Sequence, residues 1–358
     1  MSEPARFVYP ACRLMRGSQS ALDAALARFN AQPVDEVRLA PADWRGWPAK
    51  RTTLAAKASV AGVGTFRGKE RRTITFAPST RPGWWIRRTD QSEQLDTGVD
   101  IANLWTSARN LVLRSGSPHN YLRMVEHIVA LRAGLGLDNV VLETNSGDPP
   151  LFDDSSRPMV DAVREAGIVE TDQDSTYVTV KEPLAFAGTR GDFLLFLPDD
   201  GSRRLRLDVA INWRTVIGDQ RIVFDVTPET FAYGAYARTN ATHRQYQLAW
   251  TFGWLFADTR HLGYNKNNIL IHGRKRWYGE PRFPLEKADG TKKFLEPVWH
   301  RATLDLLAAL ALTGPDRFVG TVVSYRAGHT QDCDALRALY RNDLLVRDVS
   351  PRACNLNP

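Results

Sequence analysis

Glu126 and His127 stand side by side at the head of an apolar run, and His300, Asp305 and His329 follow far downstream in the 358-residue chain. Carboxylates and imidazoles of this kind are what the hydrolysis of an amide at zinc requires. Such a centre needs three protein ligands and one open position. It also needs a metal that acidifies water and polarises the carbonyl, and a nearby carboxylate that takes the proton. Spacing alone does not select this reading, because a Glu-His pair on a helix is more often incidental.

Residues that act together must be brought together by the elements that carry them. Leu122, Val125, Ile128, Val129 and Leu131 recur at helical spacing and predict a helix over 121–133. Gly134 and Gly136 follow as stop signals. A buried strand follows at 140–143 and a second helix at 159–166. Further strands are expected at 73–76, 84–86, 177–180, 193–197, 205–211 and 222–226. A helical segment covers 245–255, and a basic, irregular stretch runs over 260–293. The strongest helix of the second half is 298–312, ended by Gly314-Pro315. A strand over 319–325 leads into His329, and a last helix covers 335–340. Strands followed by a ligand-bearing helix occur in both halves, which predicts an α+β protein of two similar domains. The expected boundaries are an N-terminal extension 1–50, with a helix over 20–29 and a turn at 44–48, a first domain 51–174, a second domain 175–345 with a basic insert at about 256–296, and a tail 346–358.

Hydrophobic residues are 43% and charged residues 24% of the chain, the balance of a globular protein large enough for two cores. No stretch reaches the roughly 18 uninterrupted apolar residues of a membrane span. The start Met1-Ser2-Glu3-Pro4 lacks the pattern of a signal peptide. Cys12, Cys333 and Cys354 are too few and too scattered for a disulfide framework or a zinc knuckle. A cytoplasmic protein is therefore expected. The net charge of +7 suits an anionic small molecule, such as a nucleotide-sugar or acylated amino sugar, and leaves peripheral membrane contact open. His272-Gly273-Arg274-Lys275-Arg276-Trp277-Tyr278 mixes basic and aromatic residues, so Lys275 and Arg276 are candidates for substrate binding. The plain alternative is a solvated loop. No RNA-binding or helix-turn-helix signature accompanies the run, so nucleic acid is not expected.

Several short motifs occur in one colinear order: Ala61-Gly62-Val63-Gly64, Arg87-Arg88-Thr89-Asp90, Val125-Glu126-His127, the run from Gly134 to Glu143, Phe152-Asp153-Asp154-Ser155-Ser156, Thr251-Phe252-Gly253, Leu304-Asp305, and Tyr325-Arg326-Ala327-Gly328-His329. Together they resemble the UDP-3-O-acyl-N-acetylglucosamine deacetylase family of lipid A biosynthesis over about 51–345. The resemblance implies two α+β domains whose helices meet around the active site, and a second-domain insert that shapes an apolar passage for the acyl chain.

By this resemblance Glu126 is the general base, His127 and Asp305 are zinc ligands, His329 is the general acid or oxyanion stabiliser, and Thr251 stabilises the oxyanion. Phe252 and the basic residues Arg301, Lys275 and Arg276 are the expected substrate contacts. The family's second histidine ligand stands four residues before the aspartate, where this chain has Arg301, which cannot ligate a metal. His300 is next door, five residues from Asp305. Five residues are about 500° of ideal helix, which leaves the two side chains roughly 140° apart. One π-bulge would restore a shared face, and such bulges favour functional sites.

Other departures accumulate. Ala302 replaces a lysine, and Ala309 stands where an aspartate should orient the histidine equivalent to His329. Phe66 takes the place of a first-domain histidine, and Trp250 that of the arginine expected before the threonine. Losses around a metal commonly cost about 10- to 100-fold each in affinity or activity. The sequence therefore supports a divergent acyl-amide hydrolase with zinc dependence in doubt. It leaves open a non-catalytic binding module, and a metal-independent enzyme that reuses Glu126, His127 and His329.

Overall fold

The computed structural model describes residues 7–44 and 46–347. Met1 to Pro4, Arg45 of the 44–48 turn, Cys354 and the tail beyond Arg347 lie outside the described residues. The protein is α+β, with one main sheet in each half. The first sheet runs in the spatial order Pro150–Leu151, Ala58–Gly64, Arg71–Pro78, Val140–Thr144, Trp84–Arg88, Asp96–Gly98. Val140–Thr144 lies antiparallel to Arg71–Pro78 and parallel to Trp84–Arg88. Its alternating burial sends Val140, Leu142 and Thr144 inward.

The second sheet has seven strands, with Phe193–Leu197, Gly320–Tyr325 and Leu205–Trp213 at its centre. Its two edges come from the segment expected to be an extension. Arg13–Arg16 pairs in parallel with Leu184–Ala187, and Glu36–Arg38 pairs in parallel with Gly218–Asp225. Between them the helix Gln19–Ala31 covers one face of the sheet. Leu22, Ala25 and Phe29 pack there against Phe193, Leu195, Val323 and Tyr325, while Leu194 and Phe196 face the main core. Both faces are covered, which is why 193–197 reads as an unbroken apolar run rather than an alternating one.

Helices from the two halves meet between the sheets. Glu126–Leu135 packs against the segment from Glu296 to Leu310. Arg132 donates to the carbonyls of Ala311 and Asp316. Gly134 permits the close approach, since a Cβ there would lie 2.1 Å from the Phe231 ring. The helix is shorter than expected. Tyr121–Arg123 is a strand paired with Val112–Arg114, and Met124 at φ 51° breaks the chain before the helix begins. Tertiary pairing here overrides an apolar periodicity that continues through the strand.

Candidate functional site

The helix Glu126–Leu135 points its first turn at the meeting of the two halves. Glu126 is buried, and its Oε2 accepts from the Leu111 N–H at 2.9 Å. Burial pushes its carboxyl above the usual range, opposed by His329 and by the Leu111 amide. His127 is held at both ends. Ser155 Oγ lies 3.3 Å from Nδ1, and Ser156 Oγ donates to the His127 carbonyl at 2.7 Å. Ser155 sits at φ 56°, a costly conformation for a non-glycine residue. The motif 152–156 thus fixes the orientation of His127.

The second helix supplies the rest. Glu296–His300 is α-helical, Arg301–Leu306 is a π-helix, and Leu307–Leu310 returns to α. The wide turn brings His300 and Asp305 to the same side, with Nδ1 of His300 3.5 Å from Oδ1 of Asp305. Nε2 of His300 lies 3.4 Å from Nε2 of His127, although the two residues are 173 positions apart. Thr239 Oγ1 is 3.0 Å from each. His329 heads the last helix and places Nε2 3.4 Å from Asp305 Oδ1. Glu126, His127, His300, Asp305 and His329 therefore come together.

The electrostatics divide them. Burial, reinforced by His300, pushes His127 down to about 3. Burial lowers His300 as well, so both imidazoles stay neutral. Burial alone would raise Asp305, but His329, His300, Arg301 and His127 outweigh it and hold the carboxylate ionised. For His329, burial is overcome by Asp305, Glu126 and Asp332, and its pKa rises.

Several expected residues lie elsewhere or do other work. Thr251 is corrected: its hydroxyl is exposed and donates to the Gln247 carbonyl of its own helix at 2.6 Å. Thr239 stands between the imidazoles instead. The signal for it was Ala237-Arg238-Thr239, which carries the arginine that Trp250 fails to supply. Arg238 forms a buried pair with Glu296 at 2.7 Å, tying the segment that carries Thr239 to the start of the His300 helix. Arg301 is also corrected. It is buried, bonded to Asp332 at 2.6 Å and to Ser324 Oγ at 3.0 Å, and so unavailable to substrate. Lys275 and Arg276 are exposed, with Arg276 over the Tyr278 ring at 4.6 Å, and neither lines a cavity described below. Ala309 is buried, and His329 Nδ1 has no partner.

Two apolar cavities meet at Thr239. One, of about 460 Å³, is lined by Glu126, His127, Phe66, Phe152 and Met159. The other, of about 770 Å³, is lined by Leu248, Phe252, Phe256, Leu262 and Ile269, so Phe252 does face a cavity. A more polar cleft, of about 930 Å³, opens beyond Asn240 and Thr242. It is lined by Arg190, Trp213, Arg214 and Arg326, and by Arg28 of the N-terminal helix.

Among the described residues, no three of His, Cys, Asp or Glu stand in a metal-coordinating arrangement. Two of the expected donors nevertheless have a spacing that suits zinc. A nitrogen-to-nitrogen distance of 3.4 Å is the spacing of two ligands on a tetrahedral ion with arms of about 2.0–2.1 Å. Both nitrogens belong to neutral imidazoles, and the buried Oδ1 of the ionised Asp305 has no hydrogen-bond partner.

The model of the UDP-3-O-acyl N-acetylglycosamine deacetylase (LpxC) family matches residues 51–341. The chain belongs to this family. Proteins named UDP-3-O-acyl-N-acetylglucosamine deacetylase from Brucella ovis, Brucella canis and Brucella melitensis are each 27% identical to it over 299 residues, covering 82% of this chain and 96% of theirs. The resemblance read from the short motifs is thus borne out. The family match begins after the segment 13–38, which edges and covers the second sheet. Among the described residues, no helix is long and apolar enough to cross a membrane.

Proposed function

We propose that the protein is a divergent hydrolase of an acyl amide on an acylated, nucleotide-linked amino sugar, acting in the cytoplasm with Glu126 as general base. The observation that carries this reading is the approach of His127 and His300 to 3.4 Å around the Thr239 hydroxyl, beside two apolar cavities. His127, His300 and Asp305 would hold zinc, which when bound supplies Lewis acidity toward the amide carbonyl and toward water. Glu126, raised by burial and oriented by the Leu111 amide, takes a proton from the attacking water. His329, whose pKa Asp305 and Glu126 raise against the effect of burial, returns a proton to the departing amine nitrogen. Thr239 donates its hydroxyl toward the oxygen that gains charge. The apolar cavities receive the acyl chain, and the arginine-lined cleft receives the anionic end.

A specialised relative fits better than the lipid A step itself, because Phe66 lines the cavity where the resemblance expects a histidine, and Ala302 and Ala309 stand where a lysine and an aspartate are expected. Growth of a strain lacking the lipid A deacetylase when it carries this gene would overturn that narrower reading. A second reading, a non-catalytic binding module, is favoured by the unpartnered Nδ1 of His329, for which Ala309 offers no orienting carboxylate.

Elemental analysis after zinc repletion separates the readings. Near one zinc per chain, lost in His127→Ala, supports the hydrolase. Wild-type protein with no more zinc than the variant would retire the zinc-dependent mechanism.

A further inference from the structure

The helix His243–Phe252 buries none of its residues. It is anchored by a capping box, Thr242 with Gln245, and by the parallel pairing of Asn240–Thr242 with Leu270–His272 on either side of it. Across it and the turn that follows, Leu248, Trp250, Phe252, Trp254, Leu255 and Phe256 are 42–73% exposed. These six large apolar side chains lie within nine consecutive positions. A concentration of this kind on a protein surface marks a contact site, whereas a single exposed leucine means nothing.

The surrounding charge narrows the choice of partner. Between His243 and Arg276 the basic residues are Arg244, Arg260, Lys266, Arg274, Lys275 and Arg276, and the only acid is Asp258. All six basic side chains are exposed. Exposed tryptophan, phenylalanine and leucine beside arginine and lysine is the composition of segments that lie in the interface of an anionic bilayer. The aromatic groups enter the headgroup boundary and the cations meet lipid phosphates. The patch is also continuous with the interior: Leu248, Phe252 and Phe256 line the cavity that reaches Thr239. No helix among the described residues could cross the bilayer, so the contact lies on the surface.

We propose that this lobe docks the protein on an anionic lipid surface, with Trp254 and Leu255 in the interface and the mouth of the apolar cavity opening toward the acyl chains. An acyl chain would then pass from bilayer to cavity without crossing water. The docking goes beyond the proposed hydrolysis and is read out without any turnover.

The test is flotation of the full-length protein with large unilamellar vesicles. One set is phosphatidylcholine alone and the other contains phosphatidylglycerol, each at low and high salt. Binding to the anionic vesicles is expected, weakened by salt because the exposed basic side chains of this segment are screened. The double variant Trp254→Ser/Leu255→Ser should bind at least tenfold more weakly, since removing even one large apolar side chain from the interface costs roughly a factor of ten or more. Arg274→Glu/Lys275→Glu should lose the preference for anionic vesicles. Unchanged melting temperatures would show that all variants are folded. No flotation of the wild type with anionic vesicles at low salt would overturn the proposal. So would flotation that both double variants leave intact, or a dimer in sedimentation that the Trp254/Leu255 variant dissolves while vesicles go unbound.

Discussion

At the residue scale, neighbouring groups of one chemical type are pushed in opposite directions. Burial lowers the imidazoles of His127 and His300, while His329, a third imidazole facing Asp305 and Glu126, is raised. Glu126 must be ionised to accept a proton, and its raised pKa means that activity falls as pH drops through a value above the ordinary carboxylate range. His329 must be protonated to donate, so activity falls again as pH rises through a value above that of free imidazole. The profile of kcat/KM should be a bell with both limbs displaced upward, and Glu126→Gln should remove the acid limb along with roughly 10²–10⁴-fold of the rate. A Glu126→Gln enzyme that keeps its acid limb would assign the base elsewhere. Thr239→Val and Thr251→Ala test the corrected threonine. With any acylated, nucleotide-linked amino sugar that the protein turns over, the first should lower kcat by about 10²–10³-fold, the typical effect of losing a donor to a developing oxyanion. The second should change nothing, because its hydroxyl serves only its own helix. The error at Thr251 has a specific source: Thr251-Phe252-Gly253 copies the family's tripeptide, while Ala237-Arg238-Thr239 keeps the arginine whose pair with Glu296 positions the hydroxyl.

At the element scale the π-helix Arg301–Leu306 is the decisive feature. The five-residue spacing of His300 and Asp305 made a bulge necessary if both were to face one point, but spacing cannot say whether the bulge forms. It forms where the helix is packed on every side, with Ala302, Thr303, Leu304 and Leu306 buried and Arg301 tied to Asp332. Deleting Ala302 would leave His300 four residues before the aspartate, and an ordinary α-helix would then carry both on one face. That variant is expected to fold and to keep its zinc. Deleting Ala308, which lies in regular helix between buried neighbours, would rotate one side of the helix by about 100° relative to the other and should give insoluble protein. Loss of zinc in the Ala302 deletion, with the melting temperature preserved, would mean that His300 is not a ligand. Strands were legible at 140–143, 193–197 and 205–211, where apolar residues cluster between turns, but Leu184–Ala187, a short buried run between Pro183 and Gly188, was not. The 121–123 strand was not, because its apolar residues continue the period of the helix behind it and only the left-handed Met124 separates them.

At the scale of the whole molecule, the segment 13–38 completes the second sheet. Sequence periodicity identified the helix over 20–29, but could not tell what it covers. Its partners are 160 to 300 residues away, and a strand of four residues such as Arg13–Arg16 carries little pattern of its own. Without this segment the second sheet would expose two unpaired edges and one apolar face, a surface prone to pair with other chains. Phe29 is the centre of the contact: fully buried, edge-on to Phe193 at 5.4 Å and to Tyr325 at 5.9 Å, with the Arg221 guanidinium 3.8 Å from its ring centroid. Phe29→Ala should therefore destabilise the protein by about 3–5 kcal/mol, as for other fully buried phenylalanines. Asp23→Ala, on the exposed side of the same helix, should cost less than about 0.5 kcal/mol. Urea unfolding followed by tryptophan fluorescence reads both. Tyr325 ends the strand that leads to His329, so loosening this face should also lower kcat under conditions where Phe29→Ala remains folded. If Phe29→Ala unfolds at the wild-type urea midpoint, the N-terminal segment only rests on the sheet and the second domain is complete without it.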